Sequence, residues 1–194
     1  MKIDVIIPVY KPGKMLFTLL DRLEHQTVPV QNIILMNTEK LYFEQLVQDM
    51  RFTDRYPNVK VFHLSKHEFD HGGTRHRGVT CSDAEIFITM TQDALPADNR
   101  LVEKLTAHLR DQVAVSYARQ LPKPDCREPE KASRTFNYPA VSCIKTSADI
   151  TRLGVKTFFC SNVCAAYRRD IYDALGGFIR HTIFNEDMIY ASGA

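Results

Sequence analysis

Three short stretches hold residue types able to do chemistry. The first is "HEFDHGGTRHRG", residues 67–78. It contains His67-Glu68-x-x-His71, the spacing with which two histidines on one helix face ligate zinc beside a glutamate base. That use needs a regular helix. A strand-like run ends just before it, and Gly72-Gly73 follow directly; each glycine costs roughly 1 kcal/mol in a helix relative to alanine. The extended zinc motif also wants Gly and His where Thr74 and Arg77 stand. A zinc hydrolase through His67 and His71 is therefore the remote reading, and a polar loop the plain one. The loop offers a second chemistry. Paired glycines let backbone N–H groups approach an anion, and a helix starting just after them adds a positive dipole end. With Arg75 and Arg77 at its start, the loop suits a diphosphate or a nucleotide base edge.

The second stretch is "TQDALPAD", residues 91–98. Asp93 before a Pro-terminated turn suits a hard divalent cation, which takes one or two carboxylates plus substrate phosphates. The plain alternative is that Asp93 opens a turn. The third is "FNEDMIYA", residues 184–191. Asn185 as N-cap with Glu186 and Asp187 in the first turn needs no catalysis at all. The functional alternative is a carboxylate held against a reacting hydroxyl as general base.

These stretches need elements to position them. "KIDVIIPVY", "NIILMN", "VKVFHL", "EIFITMT" and "VAVSYARQ" read as five strands, because short β-rich apolar runs bounded by turn residues are buried strands. Between them, Lys14 to His25, Leu41 to Arg55 and Arg100 to Leu109 read as helices, with a short helix over "TRHRGVTCS". Alternation of strand and helix predicts a mostly parallel α/β sheet. Ligands of such sheets bind beyond the carboxyl ends of the strands. The chemistry is thus expected at Pro8-Val9-Tyr10, Asn37-Thr38-Glu39, Ser65 to Arg75 and Thr91-Gln92-Asp93. Leu121 to Asp149, with four prolines, reads as a long loop of functional or mobile kind. "VKTFFCSNVCAAYRRDIYDALGGF" reads as strand, turn, strand and a short helix ended by Gly176-Gly177.

Composition sets outer bounds. The 194 residues, 44% hydrophobic and 25% charged, suffice for one domain with a sizeable core. A net charge of +2 gives no field for nucleic acid. The apolar runs are too short to span a bilayer, and Asp4 and Pro8 interrupt any signal-peptide pattern. Five cysteines, an odd count without a Cys-x-x-Cys pair, argue against a disulfide framework and for a reducing cytosol.

In this order, "DVIIPVYKPG", "HGGTR", "FITMTQDALPAD", "SNVCAAYRR" and "ALGGF…NEDM" resemble the inverting glycosyltransferases of family 2, closest to a rhamnosyltransferase-like branch. The resemblance covers nearly the whole chain. It implies a GT-A fold: a Rossmann-like, mostly parallel central sheet flanked by helices, with a small antiparallel extension. It implies a single domain over residues 1–194, with a nucleotide-sugar half at about 1–95 and an acceptor-side half at about 96–194. It implies transfer of a sugar such as rhamnose, with inversion, from a dTDP- or UDP-linked donor to a glycan or lipid-linked acceptor, assisted by Mg²⁺ or Mn²⁺. Pro8, Val9, Tyr10 and Asn37 would then serve the base. Asp70, His71, Gly72, Gly73, Arg75 and Gln92 would serve the donor diphosphate, and Asp93 the metal. Asp187 of the Glu186-Asp187 pair would be the catalytic base. Arg119, Gln120, Ser161 and Asn162 would line the sugar or acceptor side. The sequence departs from the pattern at "MNTEK", where the family carries an acidic run, and at "TQD", where the first acid of the metal motif is replaced. Family members continue past the "ED" helix, so a short C-terminus is expected, together with any membrane-associating surface in the segment beyond. Such shortening keeps open a non-catalytic nucleotide-binding domain as the alternative. A cytoplasmic place, with peripheral contact at the inner face of the plasma membrane, completes the expectation.

Overall fold

The computed structural model describes residues 1–110, 112–122 and 126–194. Among the described residues, four strands and four helices build its first half. Strand β1 (Ile3–Tyr10) leads to α1 (Met15–Glu24), β2 (Asn32–Thr38), α2 (Lys40–Val47), α3 (Phe52–Arg55), β3 (Val59–Leu64), α4 (His71–Thr80) and β4 (Ile86–Met90). The second half runs through α5 (Leu101–Thr106), β5 (Val115–Tyr117), α6 (Glu128–Asn137), α7 (Ile150–Leu153) flanked by 3-10 turns, β6 (Cys164–Arg168), α8 (Arg169–Ala174) and α9 (Glu186–Gly193).

The sheet order is β3-β2-β1-β4-β6-β5. The first four strands are parallel, and β6 is antiparallel to both its neighbours. The expected fold, a mostly parallel sheet with an antiparallel extension, is the one observed. Strand β1 reads as a near-continuous apolar run because both its faces are covered. Val5, Ile7 and Val9 pack with Leu16, Leu19, Leu20 and Leu23 of α1 on one face. Ile6 packs on the other with Val79 of α4, Tyr167, Tyr172 and Tyr190. Among the described residues no helix is long and apolar enough to cross a membrane.

Four local expectations are corrected. Leu41 to Arg55 is two helices rather than one. Nine residues separate Phe43 from Phe52, so a continuous helix at about 100° per residue would set them on opposite sides; the break lets both bury, with ring centroids 5.2 Å apart. The strand expected at "VKTFF" is a 3-10 helix, Gly154–Phe158. Both edges of β6 are already taken by β4 and β5, so that run has no place beside it. The long loop after Gln120 contains α6, opened by Pro129 in its first turn and carrying a Glu130–Arg134 pair one turn apart. Finally, α4 starts at His71 and includes both glycines.

Candidate active site

Parallel topology gathers the ends of β1, β2, β3 and β4 at one edge of the sheet. Because β6 is antiparallel, its beginning lies there too, with Met90 beside Cys164 and the Thr91 N–H donating to the Val163 carbonyl. Strand β5 also ends there, and the Ala118 N–H donates to the Cys164 carbonyl. The predicted stretches therefore share one edge, spread along the strand order.

Between β6, α6 and α9 that edge opens into a cleft of about 490 Å³. Arg75, Gln120, Ser161, Asn162, Glu186, Asp187 and His71, all expected at the site, line it together. Asp187 is half-buried at its wall. The Asn162 N–H donates to its Oδ2 at 2.8 Å, and the Met188 N–H to its Oδ1 at 2.8 Å. Burial pushes the Asp187 carboxyl above its ordinary value, and neighbouring Glu186 adds to the rise; the two N–H donors and Arg75 oppose it. A carboxylate so placed holds a proton more readily than a free one.

Beneath it lies a fully buried polar chain. Thr89 Oγ1 and the Tyr167 hydroxyl both donate to Asn162 Oδ1, at 2.6 and 2.8 Å. Two donors on the oxygen turn the amide nitrogen the other way, and Asn162 Nδ2 donates to Glu186 Oε1 at 3.0 Å. The same Oε1 pairs with Arg75 Nη1 at 3.0 Å, and Arg75 also donates to the His71 carbonyl. Arg75 is only 6% exposed and Glu186 4%. Asn162 thus grips both carboxylates of the pair, one through its side chain and one through its main chain.

Several expected residues are placed differently. The glycines of "HGGTR" serve packing: a Cβ on Gly72 would lie 1.9 Å from the Ile179 carbonyl oxygen. The Asp70 carboxylate accepts from the Gly73 N–H and caps α4, so the helix start expected to meet a phosphate is already met by a carboxylate. Arg75, expected to face a diphosphate, turns inward to Glu186. Val9 is 2% exposed and belongs to the core, and Asn37 is fully enclosed. Asn37 Nδ2 lies 2.9 Å from His63 Nδ1 and donates to the Glu39 carbonyl, while its Oδ1 has no partner among the described residues. Gln92 bonds both the N–H and the carbonyl of Tyr10, at 3.1 and 2.9 Å, which pins the loop after β4 to the end of β1. Pro8 is half-buried and Tyr10 is exposed beside Tyr42, with Lys11 Nζ over both rings. Arg119 is exposed and does not line the cleft. His67 sits in a turn rather than a helix, so His67 and His71 do not share a helix face and the zinc spacing is incidental.

Asp93 stands apart from the cleft wall, two residues beyond Thr91, which lines it. It is exposed, and among the described residues it makes no hydrogen bond or ion pair. Among the described residues no group of three or more His, Cys, Asp or Glu gathers to hold a metal ion. A single free carboxylate fits a hard cation whose other ligands are phosphate oxygens and water, and does not fit a protein-built cage.

The sequence reading missed Glu130, Ser133, Arg134, Asn137 and Tyr138, all in or just after α6, and Phe159 and Phe184. The Pro129 start and the Glu130–Arg134 spacing were the available helix signals.

The site is thus a half-buried carboxylate at the carboxyl edge of a mostly parallel α/β sheet. Residues 4–176 match the model of glycosyl transferase family 2, and the chain belongs to that family. It is 38% identical over 195 residues to the O-antigen chain rhamnosyltransferase RfbN of Salmonella typhimurium, covering 99% of this chain and 60% of the relative. It is 37% identical over 155 residues to the O-antigen chain rhamnosyltransferase WbaN of Salmonella anatum, covering 76% of this chain and 49% of the relative. The chain thus spans about half to three fifths of these relatives. Among solved structures, the mannosyltransferase PcManGT of Pyrobaculum calidifontis in complex with GDP-Man and Mn²⁺ superposes with a TM-score of 0.66 at 17% identity, covering 99% of this chain and 51% of that one. Residues 1–349 of S. aureus TarS in complex with UDP-GlcNAc superpose with a TM-score of 0.62 at 18% identity, covering 98% and 52%. The fold is therefore GT-A.

Proposed function

We propose that this chain is the sugar-transferring part of a nucleotide-sugar-dependent glycosyltransferase that moves a sugar, rhamnose being the first choice, onto a glycan or lipid-linked glycan acceptor of the bacterial surface. The rhamnosyltransferases it resembles support the sugar and the pathway class. The observation that carries the mechanism is Asp187, held by the Asn162 N–H at the wall of an open cleft with its proton affinity raised.

In this reading Asp187 takes the proton of the acceptor hydroxyl as that oxygen attacks C1 of the donor sugar. The nucleoside diphosphate leaves from the opposite face, and one displacement inverts the anomeric centre. A base works best when its pKa approaches the working pH, which is what burial does to Asp187. Glu186 has its oxygen committed to Arg75 and Asn162, so it positions its neighbour rather than reacting. Asp93 would hold Mg²⁺ or Mn²⁺ together with the diphosphate. Bound there, the cation would neutralise the leaving group's charge. Tyr10, exposed at the end of β1, and half-buried Tyr42 of α2 offer the aromatic surface for the base of a dTDP or UDP donor. An acceptor carried on lipid would bring the enzyme to the inner face of the plasma membrane.

The test is Asp187→Asn. Transfer should fall at least a thousandfold, while affinity for the nucleoside diphosphate changes less than threefold. Transfer retained within tenfold would remove Asp187 from the base role. A donor-binding module without catalysis would instead bind nucleotide and never turn over.

A further inference from the structure

We infer that the cleft face of α6 is the acceptor site, and that it selects a neutral, hydroxyl-rich saccharide over an anionic one. This rests on the glycosyltransferase reading and goes on to name what the cleft holds.

The strand order supplies the direction. Along β2-β1-β4-β6-β5 the edge carries Tyr10 and Asp93 on one side of Asp187, and Gln120 with α6 on the other. If the diphosphate lies toward β4, the attacking hydroxyl must arrive from the β5 side, where α6 forms the wall. That wall is built rather than incidental. Arg134 donates through Nε and Nη2 to Glu130 Oε1, at 3.0 and 2.8 Å, and through Nη1 to Gln120 Oε1. Gln120 Nε2 in turn donates to Ser161 Oγ at 3.1 Å and to the Tyr138 hydroxyl. Ser161 immediately precedes Asn162, whose N–H holds Asp187. The α6 face is thereby tied to the base by a chain of hydrogen bonds.

The chemistry of the wall gives the ligand class. A guanidinium has five N–H donors in a flat fork. Three of those of Arg134 are used within the described residues, which leaves two fixed in plane for the vicinal hydroxyls of a sugar. Tyr138 and Phe159, with centroids 5.4 Å apart, give an apolar floor for the C–H face of a pyranose. Charge opposes an anion. Among the described residues the cleft lining holds two guanidinium groups, Arg75 and Arg134, against three carboxylates, Glu130, Glu186 and Asp187. Both guanidiniums are already paired with carboxylates. A uronate or phosphate would meet no unpaired guanidinium among the described lining residues and would sit beside Asp187.

Saturation-transfer NMR on the whole chain with dTDP and Mn²⁺ tests this, using methyl glycosides of galactose, glucose and mannose against those of glucuronic and galacturonic acid. At least one neutral glycoside should receive saturation at millimolar concentration, and the uronates at least fivefold less. Arg134→Met, and separately Ser133→Trp, which fills the cleft from an exposed position of α6, should weaken the neutral signal at least fivefold. Calorimetric affinity for dTDP should stay within twofold in both variants. Preferred uronates, no signal from any neutral glycoside, or unchanged signals in both variants overturns the assignment. Loss of dTDP affinity in both variants overturns it too, because α6 would then serve the donor. If neither dTDP nor UDP binds the unaltered chain, the glycosyltransferase reading itself fails.

Discussion

At the scale of single residues, the pair Glu186-Asp187 shows how two adjacent carboxylates take different work. Glu186 is enclosed by Arg75 and Asn162, while Asp187 keeps access to the cleft. Its carboxyl lies above the ordinary value in the folded chain. Ionised Asp187 therefore costs stability at neutral pH, and the cost disappears as pH falls toward the unfolded value. Asn at 187 meets one of the two N–H donors with an amide NH2, so the expected signature is the pH dependence: the stability of Asp187→Asn relative to wild type should rise as the buffer goes from acidic to pH 8. A difference that does not change with pH would contradict this. In transfer assays the acid limb of kcat/KM should lie above the usual carboxylate range, because only ionised Asp187 accepts the proton. Thr89→Val removes one donor to Asn162 Oδ1 and should lower kcat at least fivefold with donor KM unchanged, and Thr89→Ser should restore it. Equal loss in both variants would mean that Thr89 matters only for packing. Glu186→Gln leaves the Arg75 charge buried and unpaired, a change that typically costs about 3–5 kcal/mol; urea unfolding reads it directly.

At the scale of elements, α4 decides how the base helix meets the sheet. Its first turn passes so close to Ile179 that no side chain fits at position 72. Gly72→Ala must push α4 from the 179 backbone, and overpacking of this kind costs about 1–3 kcal/mol. A drop in the urea midpoint with an unchanged slope would bear that out, whereas full stability would show that the contact gives way freely. Asp70, which caps the helix at Gly73, should cost about 0.5–2 kcal/mol when changed to Ala. Both glycines and the cap residue were visible in the sequence as a loop fit for an anion. The sequence carried no sign of Ile179, over a hundred positions away, which gives the glycines their reason. Helix α6 is the converse case. Its apolar content is low and it buries no residue, so no apolar run marked it in the sequence.

For the whole molecule, the proposed donor side, at the ends of β1 and β4, and the proposed acceptor side, at β5 and α6, lie along one edge of the sheet, with the start of β6 between them. Nucleoside diphosphate with Mn²⁺ should raise thermal stability, since a ligand at a hundred times its Kd adds about 2.7 kcal/mol to the folded state. Asp93→Ala should keep the metal-independent part of that shift and lose the part that depends on the cation. An identical cation effect in wild type and variant would remove Asp93 from metal binding. The buried chain from Thr89 through Asn162 to Asp187 ties Asp187 to β4, the strand that leads into Asp93. The proposed base and the proposed metal ligand are thus referred to one strand.

The sequence by itself determined the alternation of strands and helices, the edge at which chemistry gathers, and the three stretches that meet there. Those follow from local periodicity and from the rule that parallel strands end together. Only the tertiary structure decided which polar residues face the cleft and which are spent in holding it. Arg75, Asn37 and Gln92 have the residue types of ligand-binding groups, and their partners, Glu186, His63 and the Tyr10 backbone, lie far off in the chain. A polar side chain binds whatever the fold brings within about 3 Å, and that neighbour cannot be read from its own surroundings in sequence.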